Sequence, residues 1–267
     1  MVTSGCRLPP KTYRLPEHGP ISPLSKYELF TPVETSLKTW WRDNRLEDPG
    51  RANRLSKMLD VPTALWINED SDQIIEKIKL TLQNSQESRK LPVFCIYYIV
   101  NRDINQYSKG GAKNAQAYKQ FIQRIDATLG TTQAVIILEP DSLGQFPSLD
   151  KAAQQQRLHL LRKAVEVLSR IPSRYIYLDG GNSKWQSPDK QAVLLQKAGI
   201  EMVRGFAINV SNFQTLPDCL SYASAISRLT RGKAAVIDTS RCGNGPASDG
   251  RRCNPPGRSI GPHPTTK

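Results

Sequence analysis

Five consecutive apolar residues, Ala134 to Leu138, run into Glu139-Pro140-Asp141, and no other stretch constrains the fold as much. A run without polar alternation suits a strand buried on both faces, as parallel strands covered by helices are. Pro140 has no N–H for a ladder and is expected to hold Glu139 extended, so the strand must stop there. Two carboxylates are thereby delivered to the end of a buried strand. In parallel α/β folds the loops after strand C-termini build the active site, which makes an acid there a candidate for chemistry. Asp is equally at home as a helix N-cap, and the local pattern leaves both readings open.

Around this junction strand and helix patterns alternate. Strands are expected at residues 63–68, 92–100, 134–138, 174–178, 201–208 and 234–237, several of them rich in β-branched and aromatic residues. Between them lie helical stripes: Ile75, Ile78 and Leu82; Tyr118, Ile122, Ile125 and Leu129; Leu158, Leu161, Val165 and Leu168; Tyr222, Ile226 and Leu229. Asp70 with Gln73 predicts a capping box for the first, which should run to about Ser88. Gly130 and Gly232 stop two others, and Ser187-Pro188 opens a further helix that Gly199 closes. A polar helix with Leu37, Trp40 and Trp41 is expected to end near Asp48-Pro49-Gly50, with both tryptophans packed in the barrel wall. Residues 1–23, with five prolines, read as an irregular lead-in, and residues 24–267 as one domain.

Six strands alternating with helices argue for a parallel sheet with right-handed crossovers. Polar residues follow most of them: Asn101-Arg102-Asp103 the second, Glu139 and Asp141 the third, Asp179 the fourth, Asn209 the fifth and Asp238 the sixth. Recurrence at one end of successive strands is how a βα-barrel builds a shared rim, whereas a doubly wound sheet gathers such residues at one crevice. Neither GxGxxG nor a Walker A motif occurs, which disfavours a nucleotide fold.

The net charge of +13 raises a nucleic-acid partner as one reading. The basic residues are dispersed and no recognition motif accompanies them, so a solvated basic surface is expected and no nucleic acid. No apolar run approaches the roughly 18 residues of a membrane helix, so no membrane partner is expected. The first 20 residues carry no apolar core, so no signal peptide is expected in this chain. The five cysteines show no CxxC spacing and the three histidines do not cluster, which argues against a metal site. Cys95 and Cys219 read as small buried hydrophobes. Cys242 and Cys253 are left to pair with each other or elsewhere.

Several motifs occur in one order over roughly residues 60–264. They are residues 97–103 with Gly110-Gly111, Leu138-Glu139-Pro140-Asp141-Ser142-Leu143, Tyr177-Leu178-Asp179-Gly180-Gly181 with Trp185, Gly205-Phe206-Ala207-Ile208-Asn209-Val210, Ile237-Asp238-Thr239-Ser240-Arg241, and Cys253-Asn254. On them the chain resembles glycoside hydrolase family 6, the cellulose-cleaving enzymes. The resemblance implies an α/β fold, a distorted, incompletely closed parallel βα-barrel of TIM type. It also implies inverting hydrolysis of β-1,4-glucosidic bonds in cellulose or a related β-glucan. No cofactor or metal is implied; a β-glucan polysaccharide or oligosaccharide is the partner, and a secreted monomer is expected.

Inversion needs a general acid on the leaving oxygen and room for a water on the opposite face. By resemblance the acid is Asp141. Asp103 matches a second aspartate credited with raising the acid's pKa and aiding the developing positive charge. Tyr97 matches a tyrosine that crowds the sugar ring. Read from the residues alone, Tyr97 beside Tyr98 faces either side of its strand. Trp66 and Trp185 match tryptophans that stack on glucose rings, and Asp179 and Asn209 match residues of the cleft rim. Asn209-Val210-Ser211 is also a glycosylation sequon, though modification is not expected at a strand end pointing into a cleft. Asn182 stands where a histidine is common, and a loop serine falls on Ser108 or Lys109 depending on register.

Other positions depart from the family. Ile104 replaces a half-cystine, and Arg252 stands where a tryptophan platform often sits. The family continues past the position of Lys267 into a further strand and a loop carrying a lysine, a glutamate and an aspartate. The chain is therefore expected to be a fragment or a degenerate member lacking its last strand, with residues 63–68 and 234–237 as open edges. A catalytically weak glucan-binding barrel is the alternative function.

Overall fold

The computed structural model describes residues 23–104, 107–251 and 253–265. The lead-in at 1–22 and Arg252 lie outside the described residues. Strands β1 (Leu65–Ile67), β2 (Val93–Ile96), β3 (Ala134–Leu138), β4 (Arg174–Asp179), β5 (Gly205–Ile208) and β6 (Ala234–Ile237) form one sheet in sequence order. Every neighbouring pair is parallel. Helices α1 (Ser36–Asn44) and α2 (Pro49–Ser56) precede the sheet. Then α3 (Asp72–Glu87), α4 (Ala115–Leu129), α5 (Lys151–Leu168), α6 (Pro188–Ala198) and α7 (Leu216–Leu229) each connect one strand to the next. Parallel neighbours need a crossover, and the helices supply it. Among the described residues β1 pairs only with β2 and β6 only with β5, so the sheet is open between them. This is the parallel α/β barrel that the alternation predicts, with the incomplete closure that the resemblance implies.

Register fixes which side chains face inward. Trp66, Cys95, Ile137 and Tyr177 lie side by side across β1 to β4, and Asp179, Ala207 and Val236 continue across β4 to β6. Cys95, Ile137, Tyr177 and Ala207 form an inner apolar cluster, with Leu24, Tyr27 and Leu29 packed against it. The alternate residues Phe94, Ile96, Ile136, Leu138, Ile176, Leu178, Phe206 and Ile208 face the helices in the larger cluster. All five β3 residues are buried, each worth roughly 1.5–3 kcal/mol for a full-sized apolar side chain. β6 is different: Ala235 is exposed and its other three residues are half-buried.

Several local expectations are corrected. Asp48-Pro49 does not end the first helix but starts the second: Asp48 Oδ1 accepts from Arg51 N at 2.9 Å, and Pro49 occupies the first turn. Trp40 and Trp41 are not in the barrel wall. They sit on α1, which buries none of its residues, under the guanidinium groups of Arg51 and Arg45 at 4.8 and 5.1 Å. Ser71, rather than Asp70, caps α3, because its hydroxyl reaches Ile74 N at 3.2 Å while Asp70 pairs with Arg124. Residues 201–208 divide into a 3-10 turn, Ile200–Met202, and the strand proper. Gly199 closes α6 in the left-handed conformation, φ +96°, as expected. Cys95, Cys219, Cys242 and Cys253 are free thiols, the last exposed.

Candidate active site

The strand C-termini deliver a row of polar side chains to one end of the barrel. Six non-glycine residues there have positive φ: Asn101 (54°), Asp103 (50°), Glu139 (54°), Asp141 (67°), Asn209 (67°) and Ser211 (55°). Asn and Asp tolerate this region best, while Glu139 and Ser211 carry real strain. Glu139 is therefore not extended, contrary to the expectation from Pro140. Its carboxylate explains the conformation, for it accepts from Tyr98 N at 3.0 Å and Ile99 N at 3.0 Å on the neighbouring strand exit.

The same stitch recurs along the rim. Asp179 Oδ2 accepts from Asp141 N and Gly181 N, both at 3.0 Å. Asp238 Oδ2 accepts from Ser211 N at 2.7 Å. Glu139, Asp179 and Asp238 thus each hold the exit loop of the preceding strand. Asn209 closes the set: buried, it donates to Asp238 O at 2.9 Å and accepts from Gln214 N at 3.0 Å. Its amide ties its own β5 exit loop to the end of β6.

Tyr97 shares the inward parity of Cys95, and its hydroxyl donates to Asp141 Oδ2 at 2.8 Å. Tyr98 goes the other way, its ring 4.4 Å from Phe121 on α4. Trp66 meets the Tyr97 ring edge-on, centroids 5.5 Å apart, and Arg102 lies over that ring at 4.7 Å. Asp103 is buried, accepting from Ser108 N at 2.7 Å and from Gln145 Nε2 at 3.0 Å. Gln145 closes a turn that Asp141 begins, its N–H donating to Asp141 O at 2.9 Å, so it joins the two aspartate loops. Ser108 is exposed and binds Asp103 through its backbone.

Trp185 is half-buried and lies on backbone. A Cβ on Gly144 would come within 2.2 Å of its ring, so only glycine leaves room there. Asn182 sets the turn that leads to it: Asn182 Oδ1 accepts from Lys184 N at 3.0 Å and its carbonyl from Trp185 N at 3.2 Å. The Asn182 Nδ2 is buried with no hydrogen-bond partner among the described residues. Thus Tyr97, Asp141, Asp103, Asp179 and Trp66 are linked through direct contacts or Gln145, Asn182 supports Trp185, and Asn209 braces the far side.

Sequence reasoning missed Gln145 and Arg157. Gln145 carried no signal beyond lying four residues after Asp141. Arg157 did carry one: it occupies a core position in the stripe of Leu160, Leu161, Ala164, Val165 and Leu168 on α5. A charge in an apolar stripe needs a reason.

Burial drives the electrostatics. Glu139 has its pKa pushed up to about 7, because loss of water outweighs the two backbone N–H bonds and the charge of Arg157. Asp179 is also raised, by burial first and then by the charge of Asp141. A carboxyl raised on folding stabilises the fold fully at low pH, and that contribution is lost as pH rises through its folded value. For Glu139 the window runs from about 4.5, its unfolded value, to about 7. The stability difference between wild type and Glu139→Gln, from denaturant unfolding, should shift by about 3 kcal/mol against wild type across this window. A difference independent of pH would contradict the assignment.

The comparisons with known proteins agree with this geometry. The family model described as glycosyl hydrolases family 6 matches residues 26–267. An endoglucanase of Streptomyces halstedii is 33% identical over 241 residues, covering 87% of this chain and 74% of that protein. One from Streptomyces sp. strain KSM-9 is 36% identical over 250 residues, 91% of this chain and 68% of its own. The endoglucanase Cel6 from Mycobacterium tuberculosis, solved with methyl-cellobiosyl-4-deoxy-4-thio-β-D-cellobioside, superposes with a TM-score of 0.85 at 33% identity, covering 91% of this chain and 83% of that one. An open six-stranded parallel barrel with acids at its strand exits, matched over nearly its whole described length, places the chain in glycosyl hydrolases family 6.

Proposed function

We propose that this glycoside hydrolase cleaves β-1,4-glucosidic bonds of cellulose or a related β-glucan with inversion, Asp141 acting as general acid and Asp103 supporting it. The observation that carries the reading is the Tyr97–Asp141 contact at 2.8 Å, set in a rim that also holds Asp103 and Trp66. Asp141 gives its proton to the glycosidic oxygen as the bond from C1 to that oxygen breaks. A water attacks C1 from the opposite face, so the new hydroxyl is axial; the proton it releases leaves through cleft groups, with Asp103 the first to test. Tyr97 borders the sugar bound at the point of cleavage. Trp66 and Trp185 offer flat apolar faces to glucose rings. The similarity to a family member solved with a cellobiose-derived ligand supports a β-glucan oligosaccharide as the bound partner.

We place the enzyme outside the cell, where such polymers occur, and take it to act as a monomer. Among the described residues no helix is long and apolar enough to cross a membrane. The test is incubation with a soluble β-1,4-glucan, following new reducing ends and the anomer formed first by NMR. The α-anomer is expected. A β-anomer would overturn inversion, and glucan binding without reducing ends would leave a binding barrel instead.

Trp185→Ala should weaken binding of short cello-oligosaccharides more than it lowers Tm. Its ring is half-buried on loop backbone, whereas truncating a core tryptophan costs about 3–5 kcal/mol. Calorimetric binding and melting on the same sample decide. A large drop in Tm with unchanged affinity would assign Trp185 to the core.

A further inference from the structure

We infer that Arg157, on α5, is a positioning residue that sets the distance between the Asp103 and Asp141 loops. The inference rests on the Asp141–Asp103 reading above and deepens it. The Arg157 side chain donates from Nη2 to Val100 O at 3.0 Å and Asn101 O at 2.8 Å, and from Nη1 to Ser142 O at 3.2 Å. Two of these carbonyls belong to the β2 exit, ending two residues before Asp103. The third follows Asp141 directly. A single planar, buried guanidinium thus grips both loops.

The grip is not incidental to packing. Arg157 is 97% buried, being 3% exposed, and so gives up water that an isolated charge would need. Its compensation is the three carbonyls and the attraction of Glu139. Glu139 works on the same β2 exit, taking the N–H groups of Tyr98 and Ile99. Acceptors of Glu139 and donors of Arg157 therefore hold one backbone group on each of four consecutive residues, 98 to 101. What is fixed is a segment with Tyr97 at its start, Asn101 at φ +54° and Asp103 at φ +50°. Those two turns would relax without the clamp, and Asp103 would move relative to Asp141.

Lysine keeps the charge but cannot reproduce a fork, because its ammonium is one point where Arg157 presents two nitrogens to two loops. Arg157→Lys should lower kcat on soluble β-1,4-glucan roughly 10- to 100-fold, with KM changed less than about twofold, since displacement of reacting groups by about 1 Å costs that order of rate. The pH profile of kcat should also shift, because the spacing of the two aspartates sets their mutual influence. In an Asp103→Asn background the same substitution should cost less than about threefold further, since the residue it positions is already lost. Arg157→Met, which keeps bulk without donors, is the second variant should Arg157→Lys fail to fold.

A kcat within about twofold of wild type in a folded variant overturns the inference, as does an undiminished loss in the Asp103→Asn background. A lower Tm with kcat and pH profile unchanged makes Arg157 merely structural and also overturns it. The two readings fail separately. An Asp141→Asn enzyme with wild-type turnover sinks the acid assignment, whereas an indifferent Arg157 in an enzyme that Asp141→Asn silences sinks only the clamp.

Discussion

Asp141→Asn is expected to lower turnover on β-1,4-glucan by about 10²–10⁴-fold while glucan binding survives, the range a positioned general acid supplies. The amide has the shape of the carboxyl and keeps an oxygen to accept from Tyr97, so the rim should remain assembled. It also keeps the backbone N–H that Asp179 holds at 3.0 Å. Only the transferable proton is lost. Steady-state rates with binding measured separately give the answer. Turnover within about twofold of wild type would reject Asp141 as the acid.

Asp103→Asn should cost about 10²-fold in kcat, with a loop component that Asp141→Asn lacks. Both Asp103 oxygens accept from donors, Gln145 Nε2 at 3.0 Å and Ser108 N at 2.7 Å. An amide turns one acceptor into a donor and sets it against another donor, so one bond is lost along with the charge. Protection of the 107–110 amides in hydrogen exchange should fall together with kcat. Full activity with an ordered loop would remove Asp103 from the chemistry.

The barrel was legible because parallel strands announce themselves by continuous apolar runs. Ala134–Leu138 and Ala234–Ile237 have the bounds the sequence predicts. At β1 and β2 the apolar pattern runs beyond the ladder. Residues 97–100 still read as strand, yet they peel away once Glu139 takes the amides of Tyr98 and Ile99. That contact spans some forty residues of sequence, and no local propensity reports it. The facing of Tyr97 was open for the same reason: parity needs a register, and Cys95 beside Ile137 supplies one. Asp48-Pro49 is ambiguous in sequence because the same dipeptide serves as a helix stop or as the first turn of a new helix, and here it is the latter. The acids at the strand exits were visible as a recurring position. Their partners were not, since Glu139, Asp179 and Asp238 accept from backbone amides while Asp141 accepts from the Tyr97 hydroxyl, a difference set by the folded chain and not by residue type.

Leaving-group dependence tests the central claim most directly. A glycoside with a 2,4-dinitrophenyl leaving group departs without protonation, so it no longer needs a general acid. Asp141→Asn should then retain turnover on 2,4-dinitrophenyl β-cellobioside within about tenfold of wild type, while losing about 10²-fold or more on β-1,4-glucan. Equal losses on the two substrates would mean that Asp141 does something other than deliver the proton, and the account of this rim would be wrong.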